Sequence, residues 1–546
     1  MKNEKVDTLI IGSGVAAAAL SQRLLEKDPN RSILILEAGI KVPMKDFALY
    51  QDYLVTGNLP YQFCEDLNYP NLFAGGENVS APNNSLQLSG GRAMMYGGST
   101  VHWGGWAFRL KPEDFRLYSN TGIEGTIDWP IDYEELEPYY SQAEHYIGVS
   151  GDSNSNTVPR SRPYPFPYFP YTIEDGPIIK AMDELDIEYN HMPIARHGIT
   201  DTESLHAPCK TTGTCKYCPF GARYVASNFL DDMLQYSNYP NFEIRQGAVV
   251  DHLIMASRSR VAGAVYHKKF TDEQYTVEAE TVIVAAGSIE AAKLLQRSTS
   301  EYWTNGVGNQ KELDLVGRNL VSHPFVYWEA EVPNNPQKLQ PEMDFPTLVS
   351  RQFDSAEEQS TGKFLTVHLN SFSNTFDVNT NNQITSITDA MQAGYSREEI
   401  EKISVGPINV QLITQIEVFT KYTNKVSNTN VINHLGMRET KVEYVKDSDF
   451  QNHLDSIQSL LEPIFDKMGA KNYRLASDSI RADHAACVTR MSDSPKTGVV
   501  DKNLRIFDTD NVYVLSNASF SSLGAVNPTI TLTALSLRLG DHLNAK

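Results

Sequence analysis

The order of apolar and polar positions divides the chain into blocks of different period. Val6 to Gly12 is an apolar, β-branched run, glycines follow at once, and Val15 to Leu25 repeats Ala and Leu at helical spacing. That order predicts a strand, a tight turn and a helix. After the polar break Lys27-Asp28-Pro29-Asn30, a second apolar run from Ile33 to Leu36 ends in Glu37-Ala38-Gly39, which completes a β-α-β unit. Much later, Thr281 to Ala286 repeats the buried-strand pattern, and Gly287 and a helical stretch from Ser288 to Gln296 follow it, as a late strand of the same sheet would read.

Residues from about 40 to 110 carry neither period and are expected as loop, with glycine pairs at Gly75-Gly76, Gly90-Gly91, Gly97-Gly98 and Gly104-Gly105. Such pairs suit backbone pressed against a ligand. Between about 325 and 445 the pattern changes to alternation with aromatics, in Phe325 to Val332, Phe364 to Leu369 and Val410 to Lys421, which predicts antiparallel strands. Helical spacing returns from Asp447 to Met468, and Asn511 to Ser516 followed by Asn527 to Leu543 predicts a last strand and a closing helix. No repeat or low-complexity segment interrupts this order.

Composition narrows the class. With 546 residues the chain is longer than one core supports, so about two intertwined domains are expected. A net charge of -20 would repel a phosphate backbone, which excludes nucleic acid as a partner. No apolar stretch approaches the roughly 20 residues of a membrane span, and Met1 to Asp7 lacks the order of a signal peptide, so a cytoplasmic location is expected. Five cysteines are too few for a disulfide scaffold, and three of them crowd between Cys209 and Cys218, which suggests a site.

The first chemical motif is Gly12-Ser13-Gly14-Val15-Ala16-Ala17, set between strand and helix, with Glu37 at the end of the next strand. Gly12 makes the turn, Gly14 admits a pyrophosphate to the helix N-terminus, Ala17 takes the third small position, and Glu37 accepts from a ribose. A dinucleotide is implied; FAD and NAD remain open at this point.

Segments farther on resemble the glucose-methanol-choline flavoprotein oxidoreductases along nearly the whole chain. They are Gly90-Gly91-Arg92-Ala93, then Gly97-Gly98-Ser99-Thr100-Val101-His102-Trp103, Ala285-Ala286-Gly287-Ser288-Ile289-Glu290, and Asn527-Pro528-Thr529-Ile530-Thr531, in the family's order. The resemblance implies FAD and a two-domain α/β fold, with a Rossmann-like FAD domain and a substrate domain built on an antiparallel sheet. Residues 1–324 would form a discontinuous FAD-binding domain with substrate-side insertions. Residues 325–475 would be mainly substrate-binding, and 476–546 would return to the FAD domain with the catalytic pair. Arg92, Gly97, Gly98, His102, Val250, Ala286, Asn517, Pro528 and Thr529 join the fingerprint residues as expected cofactor contacts.

His102-Trp103 resembles the sugar-oxidising branch, in which a histidine here carries a covalent bond to the flavin, so His102 is either an attachment point or a packing residue. The family's pair facing the flavin falls on His484 and Asn527, a proton acceptor and an orienting carboxamide. The implied reaction is oxidation of a secondary hydroxyl of a sugar or glycoside to a ketone. An oxygen-using pyranose or glycoside oxidase and a non-redox lyase on the same scaffold are the alternatives. The chain departs from the family at Cys487, Val488 and Ser492, where Gly, Thr and Gly are usual, and at Asn517, where an acid is usual.

Cys209, Cys215 and Cys218 resemble the three-cysteine segment that holds a three-iron cluster in bacterial sugar dehydrogenases. A [3Fe-4S] centre, zinc completed by His206, and plain buried thiols are the three readings. With a cluster, electrons would leave to a cytochrome or another carrier, and the enzyme would be a dehydrogenase. In those relatives a small partner subunit carries the export signal, so carriage to the periplasm stands beside the cytoplasmic expectation.

Overall fold

A computed structural model of the chain describes residues 4–44, 46–56, 86–88, 91–155, 157–197, 208–209, 217–218, 220–268, 271, 273–310, 313–332, 345–373, 388–404, 408–432 and 438–546. Two seven-stranded sheets organise them. In the first, Phe242–Gln246, Ile33–Glu37, Glu4–Ile11 and Gln274–Val284 run parallel, and Val512–Val514 pairs with the far end of the last. Ile33–Glu37 is buried at every position, as a strand covered on both faces must be. The helices Val15–Lys27, Gly287–Arg297 and Thr529–Asn544 follow three of these strand ends, and Gly12 at φ +100 makes the first of these turns.

Gln274–Val284 starts earlier than the apolar run from Thr281 announces, because its first half pairs antiparallel with Val261–Lys268 and is largely exposed. The stretch from about 40 to 110 is not all loop either. Phe47–Thr56 is a helix whose Tyr50 and Tyr53 pack on the Tyr217 ring, with centroids at 6.4 and 6.2 Å.

The second sheet runs in the order Leu86–Gln87, Lys471–Arg481, Pro324–Val332, Ile408–Ile416, Phe364–Ser373, Leu348–Ser350 and Asn190–His191. Its long strands pair antiparallel, as the alternation predicts. Along Pro324–Val332 buried and half-buried residues alternate strictly. Val326, Trp328 and Ala330 pack on the helices Gly176–Glu184 and Phe450–Lys467, through Ile178, Leu454, Ile457 and Leu461. The opposite face carries Phe325, Tyr327, Leu369, Ile413, Ser479 and Arg481 toward a cavity between the sheets. Lys471–Arg481 carries no apolar run, so its sequence hides it; the backbone ladder to Pro324–Val332 holds it in place. No helix among the described residues is long and apolar enough to cross a membrane.

Candidate active site

The cavity holds about 700 Å³ and lies where the parallel strands end, between them and the inner face of the antiparallel sheet. Its nucleotide side is mostly backbone. A Cβ on Gly12 would lie 2.6 Å from the Ala285 carbonyl oxygen, so that turn admits glycine alone. Gly14 precedes the helix Val15–Lys27, and nothing lies within 4 Å of where its Cβ would be. Gly14, Val15 and Ala16 line the cavity where a helix leaves its first N–H groups unmatched. The Glu37 carboxylate braces this turn, accepting from the Ser13 N–H at 2.9 Å, the Ser13 hydroxyl at 2.5 Å and the Gly39 N–H at 2.7 Å.

The opposite side is built of side chains. Lys471–Arg481 leads into a short 3-10 turn, Ala482–His484, and delivers His484 to the cavity wall. Ser322 donates to the Arg481 carbonyl at 2.5 Å and Ala486 N–H to Val321 at 2.9 Å, so the 321–323 segment runs beside this turn. From the chain's last segment, Asn527 brings its Nδ2 to 3.2 Å from His484 Nε2. The loop before Asn527 is tethered to the second sheet at two points: Gln415 Nε2 donates to the Ala525 carbonyl at 2.9 Å, and His323 Nε2 lies 2.8 Å from the Gly524 carbonyl. His323 Nδ1 in turn lies 2.8 Å from His484 Nδ1. The Phe325 ring stands 5.2 Å from that of His484, and Arg481 forms a bidentate pair with Asp483 at 2.8 and 2.9 Å.

Burial, then the His323 ring and Arg481, hold the His484 pKa well below its ordinary value. Burial depresses His323 to about 4, and burial with Arg223 and Arg481 does the same to His102. All three imidazoles are therefore neutral near pH 7. Burial raises the Asp483 pKa, against the pull of Arg481.

Among the described residues, Asn517 Oδ1 and Asn527 Oδ1 are buried without a hydrogen-bond partner, and both side chains line the cavity. Orphaned acceptors in a cavity that an open helix N-terminus and a glycine-only turn also line fit a dinucleotide with polar groups along its length.

Residues 195–325 match one domain model of the GMC oxidoreductases, the N-terminal one, and residues 431–536 match the C-terminal one. The chain carries both GMC oxidoreductase domains. Over its full length it is 26% identical to the fructose dehydrogenase large subunit of Gluconobacter japonicus, with 100% of this chain and 99% of the relative covered. It is 24% identical to the 6'''-hydroxyparomomycin C oxidase of Streptomyces lividus, covering 99% and 92%. The fold is that of pyridoxine 4-oxidase from Mesorbium loti, with a TM-score of 0.64, 15% identity and 99% of each chain covered. It is also that of formate oxidase from Aspergillus oryzae, with a TM-score of 0.66, 15% identity, and 100% and 99% covered. The family and the formate oxidase, a structure concerned with FAD modification, indicate FAD as the cofactor, and the family acts on alcohol and sugar-type substrates.

Of the positions read from the sequence, Gly12, Gly14, Glu37, Arg92, Gly98, His102, Val250, Ala286, Asn517 and Thr529 line the cavity of this GMC fold, together with His484 and Asn527. Ala17, Gly97 and Pro528 do not: Ala17 is fully buried in its helix, Gly97 packs on Ser227, and Pro528 precedes the closing helix. Cys487 adopts φ +68, which explains the family's glycine there, since a side chain in that conformation costs about 1–2 kcal/mol. Ser492 does not share that conformation. Cys209 is buried and Cys218 half-buried, whereas Cys215 and His206 lie outside the described residues. Among the described residues no group of three His, Cys, Asp or Glu side chains is arranged to hold a metal. Sequence reasoning missed His323 and Arg481. A histidine between Ser322 and Pro324 before a strand carries no mark of function, and Arg481 lies in the strand that the polar pattern conceals.

Proposed function

We propose that this GMC oxidoreductase oxidises a secondary hydroxyl of a sugar or glycoside to the ketone, with His484 as general base and Asn527 as the orienting donor. One observation carries this: an imidazole nitrogen and a carboxamide 3.2 Å apart on the wall that faces the dinucleotide fingerprint. The substrate O–H bond breaks as its proton passes to His484 Nε2, while Asn527 Nδ2 donates to the same oxygen and aligns the carbinol C–H. Bound FAD supplies the acceptor for the electron pair that leaves with the C–H bond. Gly12, Gly14, Arg92, Val250, Asn517 and Thr529 would hold it, and His102 stands on the wall as its attachment or packing residue.

The sugar substrate is supported by the full-length likeness to a fructose dehydrogenase large subunit, beside that to a 6'''-hydroxyparomomycin C oxidase. The wall also suits a sugar, since Phe325 and Tyr327 offer aromatic surface and the Arg481–Asp483 pair offers donors and acceptors together. The dehydrogenase reading extends to Cys209, Cys215 and Cys218 as ligands of an iron-sulfur centre passing electrons to a partner subunit or cytochrome. The oxidase among the relatives supports dioxygen as acceptor, the second reading. We assign residues 1–324 and 476–546 to the FAD-binding part and 325–475 mainly to the substrate part.

Anaerobic mixing with a panel of free sugars and glycosides tests the reaction: a substrate should bleach the oxidised flavin band. A product that forms without bleaching would replace oxidation with the lyase reading. Iron analysis and acceptor assays with a quinone, a dye and dioxygen then decide the electron exit; iron-free protein that turns over rapidly with dioxygen is an oxidase.

A further inference from the structure

Two hydrogen bonds on His323 leave a single proton arrangement for three side chains. The Gly524 carbonyl can only accept, so His323 Nε2, 2.8 Å from it, carries a proton. The ring is fully buried and neutral, so its Nδ1 holds a lone pair. That lone pair faces His484 Nδ1 at 2.8 Å, and two lone pairs at this distance would repel, so His484 Nδ1 bears the proton. His484 is neutral as well, which leaves the lone pair of that ring on Nε2, at the edge that meets Asn527. The amide of Asn527 then has one consistent orientation: Nδ2 donates to His484 Nε2, and Oδ1 points elsewhere.

We propose that His323 is a positioning residue that fixes the tautomer of His484, so that the Nε2 lone pair faces the substrate hydroxyl. It accepts a hydrogen bond from His484 Nδ1–H before and after the proton transfer. When Nε2 takes the substrate proton the ring becomes an imidazolium, and the Nδ1–H to His323 bond becomes charge-assisted and stronger. The sequence separates the two histidines by 161 positions; the ladder between Pro324–Val332 and Lys471–Arg481 brings them together. Their rings meet edge to face, at 89° and 5.1 Å between centroids, which aligns an N–H in one ring plane with a lone pair in the other. The inference rests on His484 being the base, and its test separates the two claims.

Holoenzyme labelled with ring ¹⁵N in histidine, without substrate, should show a protonated Nδ1 and a bare Nε2 for His484, assigned by difference from His484→Asn. The reverse pattern overturns the proposal and leaves the base assignment standing. With His323→Leu the rate of anaerobic flavin reduction should fall about 10- to 100-fold, as for other residues that orient a functional imidazole. Substrate dissociation constant and flavin content should stay within about twofold of wild type, because His323 is not a cavity-lining residue. The same spectrum should show His484 losing its single tautomer. His323→Asn, whose Oδ1 can accept from His484 Nδ1–H, should recover most of the rate. A Leu variant that reduces flavin within about threefold of wild type, or is slower with the tautomer unchanged, assigns His323 to packing alone. If the Leu variant does not fold, the wild-type spectrum and the Asn variant decide. By contrast, His484→Ala at full rate removes the base assignment whatever the tautomer.

Discussion

On the nucleotide side of the cavity the backbone makes the surface: Gly12 at φ +100 with its absent Cβ against Ala285, Gly14 at a helix N-terminus, and Gly98 against Gly14. On the substrate side the surface is His484, Asn527, Phe325, Tyr327 and Arg481, delivered by two strands, a short turn and the loop before the closing helix. The first wall tolerates little change of residue, because an added Cβ meets main chain at Gly12 and Gly98 and at Gly14 would enter the space left for the nucleotide. The second is a set of replaceable parts on a rigid frame. Changes to the first wall should therefore remove the cofactor, and changes to the second should remove rate or selectivity while the flavin stays.

The largest effect should come from His484→Ala, which is expected to slow anaerobic flavin reduction by about 10²- to 10⁴-fold at unchanged flavin content, read by stopped-flow absorbance. Loss of flavin in that variant would break the separation between the walls. Asn527→Leu, which removes one donor to the reacting oxygen, should cost about 10²- to 10³-fold in the same measurement. Crossing to the other wall, Gly12→Ala should destabilise the protein by about 2 kcal/mol or more and lower the flavin-to-protein ratio after purification. A fully loaded Gly12→Ala enzyme would show that the turn can open. Phe325→Ala should raise KM about tenfold with kcat changed less, since it removes apolar surface from the pocket beside the base.

The pH response sharpens the same contrast at smaller amplitude. Because the His484 pKa lies well below its ordinary value, the base is unprotonated throughout the neutral range, and flavin reduction should show no acid limb near pH 6.5. Stability behaves differently. His102 and His323 stay neutral in the fold down to about pH 4, whereas in the unfolded chain they take up protons below about 6.5. The unfolded state binds more protons in that window, so melting temperature should fall as pH drops from 6.5 toward 4.

The nucleotide wall was legible because its chemistry is carried by glycines at fixed offsets between a strand and a helix, and each of those features leaves its own mark. Gly12, Gly14 and Glu37 stand on the wall as that pattern requires. The alternating strands were legible for a similar reason, since Pro324–Val332 must keep one face in the core. Alternation says which residues share a face but not which strands become neighbours. His323 is found only once Lys471–Arg481 is seen beside Pro324–Val332, and the long exposed part of that strand gives the period nothing to register. The helix Phe47–Thr56 was hidden among glycine clusters, and tertiary contact with Tyr217 holds it.

The parallel sheet is closed by Val512–Val514, and the helix Thr529–Asn544 lies on Val15–Lys27, with Asp541 accepting from Arg23 at 2.6 Å. The first helix formed during synthesis thus waits about five hundred residues for its cover, and loop closure over that separation is slow. A nascent chain interrupted before this segment would expose the apolar flank of its own nucleotide domain. Folding and assembly of the proposed catalytic pair are therefore one late event, and partial products of this chain should be substrates for chaperones instead of weak enzymes.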